Sequence, residues 1–183
     1  MKQKLLPIIG LCLILGSLFW ILGLRLQTQA DQNRCQTLAG QLEAMLPERT
    51  PGLPDPEAGM PALEIEGRDY VALLEVPGFG VLLPVEDPWN NRLRTPARFS
   101  GSAWDELVIG GPEAQFYFCE KIDPGAQILL TDMTGAEFTY TVTRVDRARE
   151  ARREWLEGWD LTLFCQDSYA MEYIALRCEL AYP

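Results

Sequence analysis

Cys165 closes the run Leu161-Thr162-Leu163-Phe164, and the polar loop Gln166 to Glu172 follows it, carrying Asp167 and Ser168. A second β-favouring run, Tyr173-Ile174-Ala175-Leu176, comes next. A cysteine at a strand end, facing a loop, is where a thiol nucleophile sits. The same pattern fits a half-buried cysteine in a β-hairpin core, because a free thiol packs as a small hydrophobe. Residue types alone favour the second assignment.

The chain has no histidine. Imidazole is therefore excluded as general acid, general base and metal ligand, and no Cys-His or Ser-His pair exists within the chain. The five cysteines (12, 35, 119, 165 and 178) contain no C-x-x-C pair, so no zinc site is expected. No D-x-D-x-D-G loop is present, so no calcium loop is expected either. We expect no metal and no cofactor. An odd cysteine count, with Cys12 in an apolar segment, gives no disulfide framework. A single bridge among the other four stays open in an oxidising compartment. With 16 Lys+Arg against 26 Asp+Glu, the net charge is −10, which argues against a nucleic-acid partner.

Several elements must position the Cys165 hairpin. Leu5 to Leu24 is 20 residues without a charge, flanked by Lys2, Lys4 and Arg25. At about 1.5 Å per residue it spans a hydrocarbon core of roughly 30 Å. It is longer than a signal-peptide apolar core, and a retained anchor is preferred to cleavage after Thr28-Gln29-Ala30. Charge leans only slightly towards a cytoplasmic N-terminus. Residues 25–46 place Leu38, Leu42, Met45 and Leu46 at helical spacing, as a helix packed on the domain or as a solvated stalk. Prolines at 47, 51, 54, 56 and 61 make residues 47–62 an extended linker or a strap.

From Leu63 onward the signals are mostly strands. Tyr70–Val76 and Val81–Val85 flank the turn signal Pro77-Gly78-Phe79-Gly80. Leu107–Ile109, Gln127–Asp132 and Ala136–Val145 follow, with a tight turn at Met133-Thr134-Gly135. Gln115–Ile122 reads as a short helix, and 146–158 as charged helix or loop. Seven or eight short strands with few helices imply a closed β-barrel. We assign residues 1–24 as the anchor, 25–62 as helical stalk and Pro-rich linker, and 63–183 as the barrel domain.

These motifs, taken together, resemble the sortases, the membrane-anchored cysteine transpeptidases of Gram-positive surfaces, and the class B kind in particular. Ala97-Arg98-Phe99-Ser100-Gly101-Ser102 and Leu107-Val108-Ile109-Gly110-Gly111 are similar to R-Y-S-G-S and N-L-V-I-A-G-H. Gly125 to Val142 is similar to G-D-x-I-x-L-T-D-x-x-G-x-x-Y-x-V. Leu161–Phe164 is similar to L-T-L-F-T-C, and Tyr173–Glu179 to R-V-T-V-R-C-E. The resemblance covers about Asp69 to Leu180 and implies an eight-stranded sortase barrel after an N-terminal transmembrane helix and a short amphipathic helix. It also implies a single-pass membrane protein with its C-terminal domain outside.

Sortases use a cysteine to attack a sorting-signal carbonyl, a histidine to protonate the leaving amine, and an arginine to hold peptide and oxyanion. Aligned without gaps, the histidine position holds Pro112, the cysteine position Gln166 and the arginine position Tyr173. Cys165 falls one residue early, and a one-residue step in a strand turns a side chain to the other face. Arg177 matches the second, non-catalytic arginine. All three roles are then unfilled. The resemblance implies a sortase-like pseudoenzyme whose groove (Tyr173, Gln166, Asp167 and Trp159) binds a peptide or surface-protein segment, a pilin or an active sortase. The alternative is an active transpeptidase attaching surface proteins to cell wall or pilus through a displaced Cys165. It needs a bulge after Phe164, Arg177 or Arg144 as the arginine, and Asp167 or Tyr173 as the acid. A third reading is a structural surface module with no groove function.

Overall fold

The computed structural model describes residues 5–52, 59–90 and 94–181. The expectations for Lys2 and Lys4, for the linker centre with Pro54 and Pro56, and for residues 91–93 lie outside the described residues. The chain forms two compact units, residues 1–34 and 35–183.

One helix, α1 (Leu5–Met45), runs where an anchor and a second helix were expected. Nothing at the junction of Leu24 and Arg25 breaks it, since a lone Gly23 costs only about 1 kcal/mol. Pro47 stops it, because the residues just before a proline are pushed out of the α region. Between residues 13 and 26 the helix exposes its large apolar side chains, Phe19 and Trp20 among them. It is long and apolar enough to cross a membrane.

In the second unit, the last turns of α1 bury Leu38, Ala39 and Leu42 against Tyr70 and Leu73. The residues at helical spacing thus pack on the domain rather than form a solvated stalk. Arg49 then reaches Glu43, Glu75 and Glu137, each at 3.1 Å. Strand β1 (Thr50–Pro51) pairs with β8 (Ala136–Ala148). The start of the linker is a strap. Gly52 is required there, since a Cβ would stand 2.5 Å from the Phe138 ring.

The remaining strands are β2 (Leu63–Ile65), β3 (Arg68–Val76), β4 (Val81–Asp87), β5 (Ala97–Ser102), β6 (Asp105–Gly110), β7 (Gln127–Asp132), β9 (Leu161–Asp167) and β10 (Glu172–Leu180). Pairing runs β8-β10-β9-β6-β5-β4-β3, and β7 joins β3 to β8. Eight strands therefore close a ring with no free edge, as the strand count implied. Leu74, Leu107, Ile109, Phe118, Ile128, Tyr140, Leu163 and Leu176 fill it.

Several boundaries differ from the sequence expectations. β5 is a strand within a stretch for which no strand was assigned. Gly101 (φ +76°) lets its hairpin close, since a Cβ there would lie 2.2 Å from the Glu106 carbonyl oxygen. β8 continues to Ala148 because Val145–Ala148 pair with Tyr173–Leu176. Residues 115–122 form only a 3-10 turn at Tyr117–Glu120. The tight turn at 133–135 forms as expected. Asp132 Oδ1 accepts from the Thr134 and Ala136 amides at 2.8 and 3.0 Å, and Gly135 takes φ +85°.

Candidate functional site

The β9–β10 ladder pairs without a register shift, from Glu172 opposite Asp167 to Cys178 opposite Leu161. Alternation then sorts the side chains. Leu161, Leu163 and Cys165 point into the barrel core. Thr162, Phe164 and Gln166 point outward, and so do Tyr173, Ala175 and Arg177 across the ladder. Gln166 and Tyr173 are directly opposed.

Where these two strands meet the end of β6 there is a surface cleft of ≈ 460 Å³. Pro112, Gln166 and Tyr173 all line it. Residues distant in sequence, placed by a gap-free alignment at three functional positions, thus share one concavity. Its apolar surface comes from Phe164 and Trp89, whose rings stack at 5.6 Å. Phe99 closes the trio edge-on, 5.2 Å from Trp89 and 5.9 Å from Phe164. Gly110 makes room for this floor, because a Cβ there would lie 2.4 Å from the Trp89 ring and 2.7 Å from the Phe164 ring. Gly111 does the same for Phe116. At the rim, Glu113 accepts a hydrogen bond from the Ser168 amide at 3.2 Å and ties the loop after β6 to the β9–β10 turn.

Cys165 is 3 % exposed and borders both this cleft and a smaller neighbouring cavity of ≈ 290 Å³. The bulge that would turn its thiol outward is absent, since Cys165 sits squarely opposite Ile174. Asp167 lines the smaller cavity rather than the cleft. It accepts from the Ala170 and Tyr169 amides, each at 2.9 Å. Those amides, with Arg147, hold its carboxyl below the usual carboxylate range, against the opposing effect of burial. Asp167 is a turn cap.

Two residues assigned to the groove or its chemistry lie elsewhere. Trp159 precedes β9 at its far end, with Arg144 over its ring at 5.1 Å. From Leu161 to Gln166 the strand runs roughly 17 Å. Arg144 is likewise engaged there, with Asp146 at 3.0 Å. Arg177 is 1 % exposed and roughly 14 Å along β10 from Tyr173. Its guanidinium meets Asp146 at 3.0 Å, the Leu156 carbonyl at 3.1 Å, Thr162 Oγ1 at 3.2 Å and the Trp155 carbonyl. The Trp155 ring covers it at 4.6 Å. Burial pulls its pKa down, and Asp146 opposes that shift. It is spent on structure and cannot attend the cleft.

The sequence reading missed Trp89, Phe164 and Glu113 as lining residues. Trp89 lies in an irregular segment with no periodicity to mark its direction. The available signal was Gly110-Gly111, two positions without side chains at a strand end.

The fold has solved counterparts. A Streptococcus pneumoniae sortase C-3 is similar over 84 % of this chain and 83 % of its own, at TM-score 0.54 and 16 % identity. A Clostridium perfringens sortase D5 transpeptidase matches 62 % of this chain and 80 % of its own, at 0.55 and 16 %. A Corynebacterium diphtheriae sortase A lid mutant matches 63 % and 72 %, at 0.54 and 16 %. The barrel is a sortase fold. No family model and no curated protein matches the chain. At such identity the sortase likeness speaks for architecture alone, and the chemistry must come from the residues present. Among the described residues, no group of three or more His, Cys, Asp or Glu could hold a metal ion.

Proposed function

We propose that this protein is a membrane-anchored, sortase-like pseudoenzyme that uses the cleft beside β9 and β10 to bind an extended peptide segment of a surface protein, a pilin or an active sortase. One observation carries the reading. Pro112, Gln166 and Tyr173 line a single cleft, and none of them supplies a thiolate, a titratable acid near neutral pH or a fixed positive charge. The aromatic floor remains, and aromatic surface with a few polar rim groups is what a peptide site needs. The long apolar helix supports anchoring, with the barrel on the extracytoplasmic side as in the class B resemblance.

The runner-up is a transpeptidase working through Cys165, favoured by the contact of that residue with the cleft edge. One experiment separates the two. The full chain in detergent micelles is incubated with sorting-signal peptides and an amine, and intact mass is read for a thioester, with Cys165→Ala as control. We expect no adduct, together with peptide binding by calorimetry that survives Cys165→Ala and falls at least tenfold in Phe164→Ala. An adduct lost in Cys165→Ala would overturn the pseudoenzyme reading. Absence of both adduct and binding would overturn the binding role.

A further inference from the structure

Cys119 sits in the 3-10 turn Tyr117–Glu120, fully buried, with Phe118 beside it in the core. Tyr117 and Glu120 on the same turn line the ≈ 290 Å³ cavity, and Cys165 and Ile174 line its other side. The two thiols, 46 residues apart in sequence (165 − 119), share one core cluster and are within hydrogen-bonding contact. Both are free. We propose that Cys119 and Cys165 are a redox-active dithiol that closes to a disulfide, with Cys165 as the entry sulfur reached through the cavity. Closed, the bridge fastens the loop wall that carries Pro112 and Glu113 to the β9 floor. It forms whether or not the cleft binds peptide.

The chemistry balances with a small-molecule or protein disulfide as oxidant. The Cys165 thiolate attacks one oxidant sulfur, the oxidant S–S bond breaks, and one thiol leaves. Cys119 then loses its proton, attacks the Cys165 sulfur and expels the second thiol. Two electrons and two protons pass to the oxidant, and one protein S–S bond forms. Burial pushes the Cys119 thiol well above its ordinary pKa, so the second step accelerates as pH rises above neutrality. Cys178 is a poor competitor, since it is buried opposite Leu161, roughly 14 Å along β10 from the partner of Cys165.

The full chain in micelles is treated with cystine, quenched with an alkylating agent, and analysed without reduction. Trypsin separates the cysteines into Phe99–Lys121, Glu154–Arg177 and the segment from Cys178. We expect an intact mass lower by two hydrogens and a linked pair of the first two peptides, released by a thiol reductant. The bridged form should unfold roughly 5–15 °C higher, because the closed loop is long. Cys119→Ala should yield no link and should stop at a cysteine adduct on Cys165. Recovery of both peptides unlinked, a link to another cysteine, or a Cys119→Ala chain with no adduct would each overturn the proposal. If Cys119→Ala does not fold, the wild-type chain still decides: folded protein must give this single link, and urea-unfolded protein mixed pairings. Mixed pairings from the folded chain would refute it.

Discussion

The two ends of the β9–β10 ladder share strands and face but not chemistry. At one end Arg177 and Thr162 are opposed, roofed by Trp155 and saturated by Asp146 and two carbonyls. At the other, Tyr173 and Gln166 are opposed and bound a cleft. A positive charge on the outward face of β10 is therefore not by itself a catalytic arginine. Its neighbours decide whether the guanidinium has donors to spare, and here the short helix α2 (Arg153–Leu156) and its flanks take them.

The largest effect follows from the saturated end. Arg177→Ala strands the Asp146 carboxylate, two carbonyls and Thr162, and breaking a buried pair from one side costs about 3–5 kcal/mol. Urea unfolding of the full chain in micelles should show a loss of that size. A loss under about 1 kcal/mol would mean that water already satisfies those groups and that the two ends are alike.

Phe164→Ala comes next. Phe164 lies on the same outward face, between the two ends, and fills the cleft floor against Trp89 and Phe99. Truncating a buried phenylalanine costs about 3–5 kcal/mol, and the low end is expected because the cleft lets solvent in. Urea unfolding reads the loss, and calorimetry reads the weakened peptide binding. Unchanged binding would detach the cleft from the aromatic floor.

The barrel was legible before its site. Turn signals at Pro77–Gly80 and at 133–135, and short β-favouring runs of even spacing, were enough to imply a ring of strands. The positions of Pro112, Gln166 and Tyr173 were legible too, because the ladder between Phe164 and Tyr173 has no inserted residue to break the alignment. Trp159 and Arg177 were not, since residue type says nothing of which end of a strand pair stays open. That depends on where residues 149–160 cross the barrel, a charged stretch with no decisive period. Nor did the sequence show that Asp167 is a cap, which rests on two backbone amides.

That cap gives a pH test at the open end. The Asp167 carboxyl is held below its ordinary value by the Ala170 and Tyr169 amides and by Arg147. A depressed folded pKa contributes stability above the unfolded value of about 3.9 and loses it as pH falls through the folded pKa. The urea midpoint of the wild-type chain should therefore drop on acidification below about pH 4, and more steeply than that of Asp167→Asn. Parallel curves would mean that the carboxylate contributes nothing beyond what an amide oxygen supplies.

The smallest stability change should come from refilling the cleft. Gln166 is exposed and Pro112 and Tyr173 are half-buried, and none of their side chains is held by a network like that of Arg177. Pro112→His, Gln166→Cys and Tyr173→Arg together should cost no more than about 1 kcal/mol, a sum of near-neutral surface changes. Gln166 and Tyr173 are opposed across the ladder, so an introduced thiol and guanidinium would face the same cavity, with the imidazole on its rim. Intact-mass analysis with a sorting-signal peptide should then show a thioester on the introduced sulfur that the wild-type chain never forms. A variant that folds and binds peptide but forms no thioester would mean that three side chains are not the whole loss, and that the cleft no longer positions a carbonyl for attack.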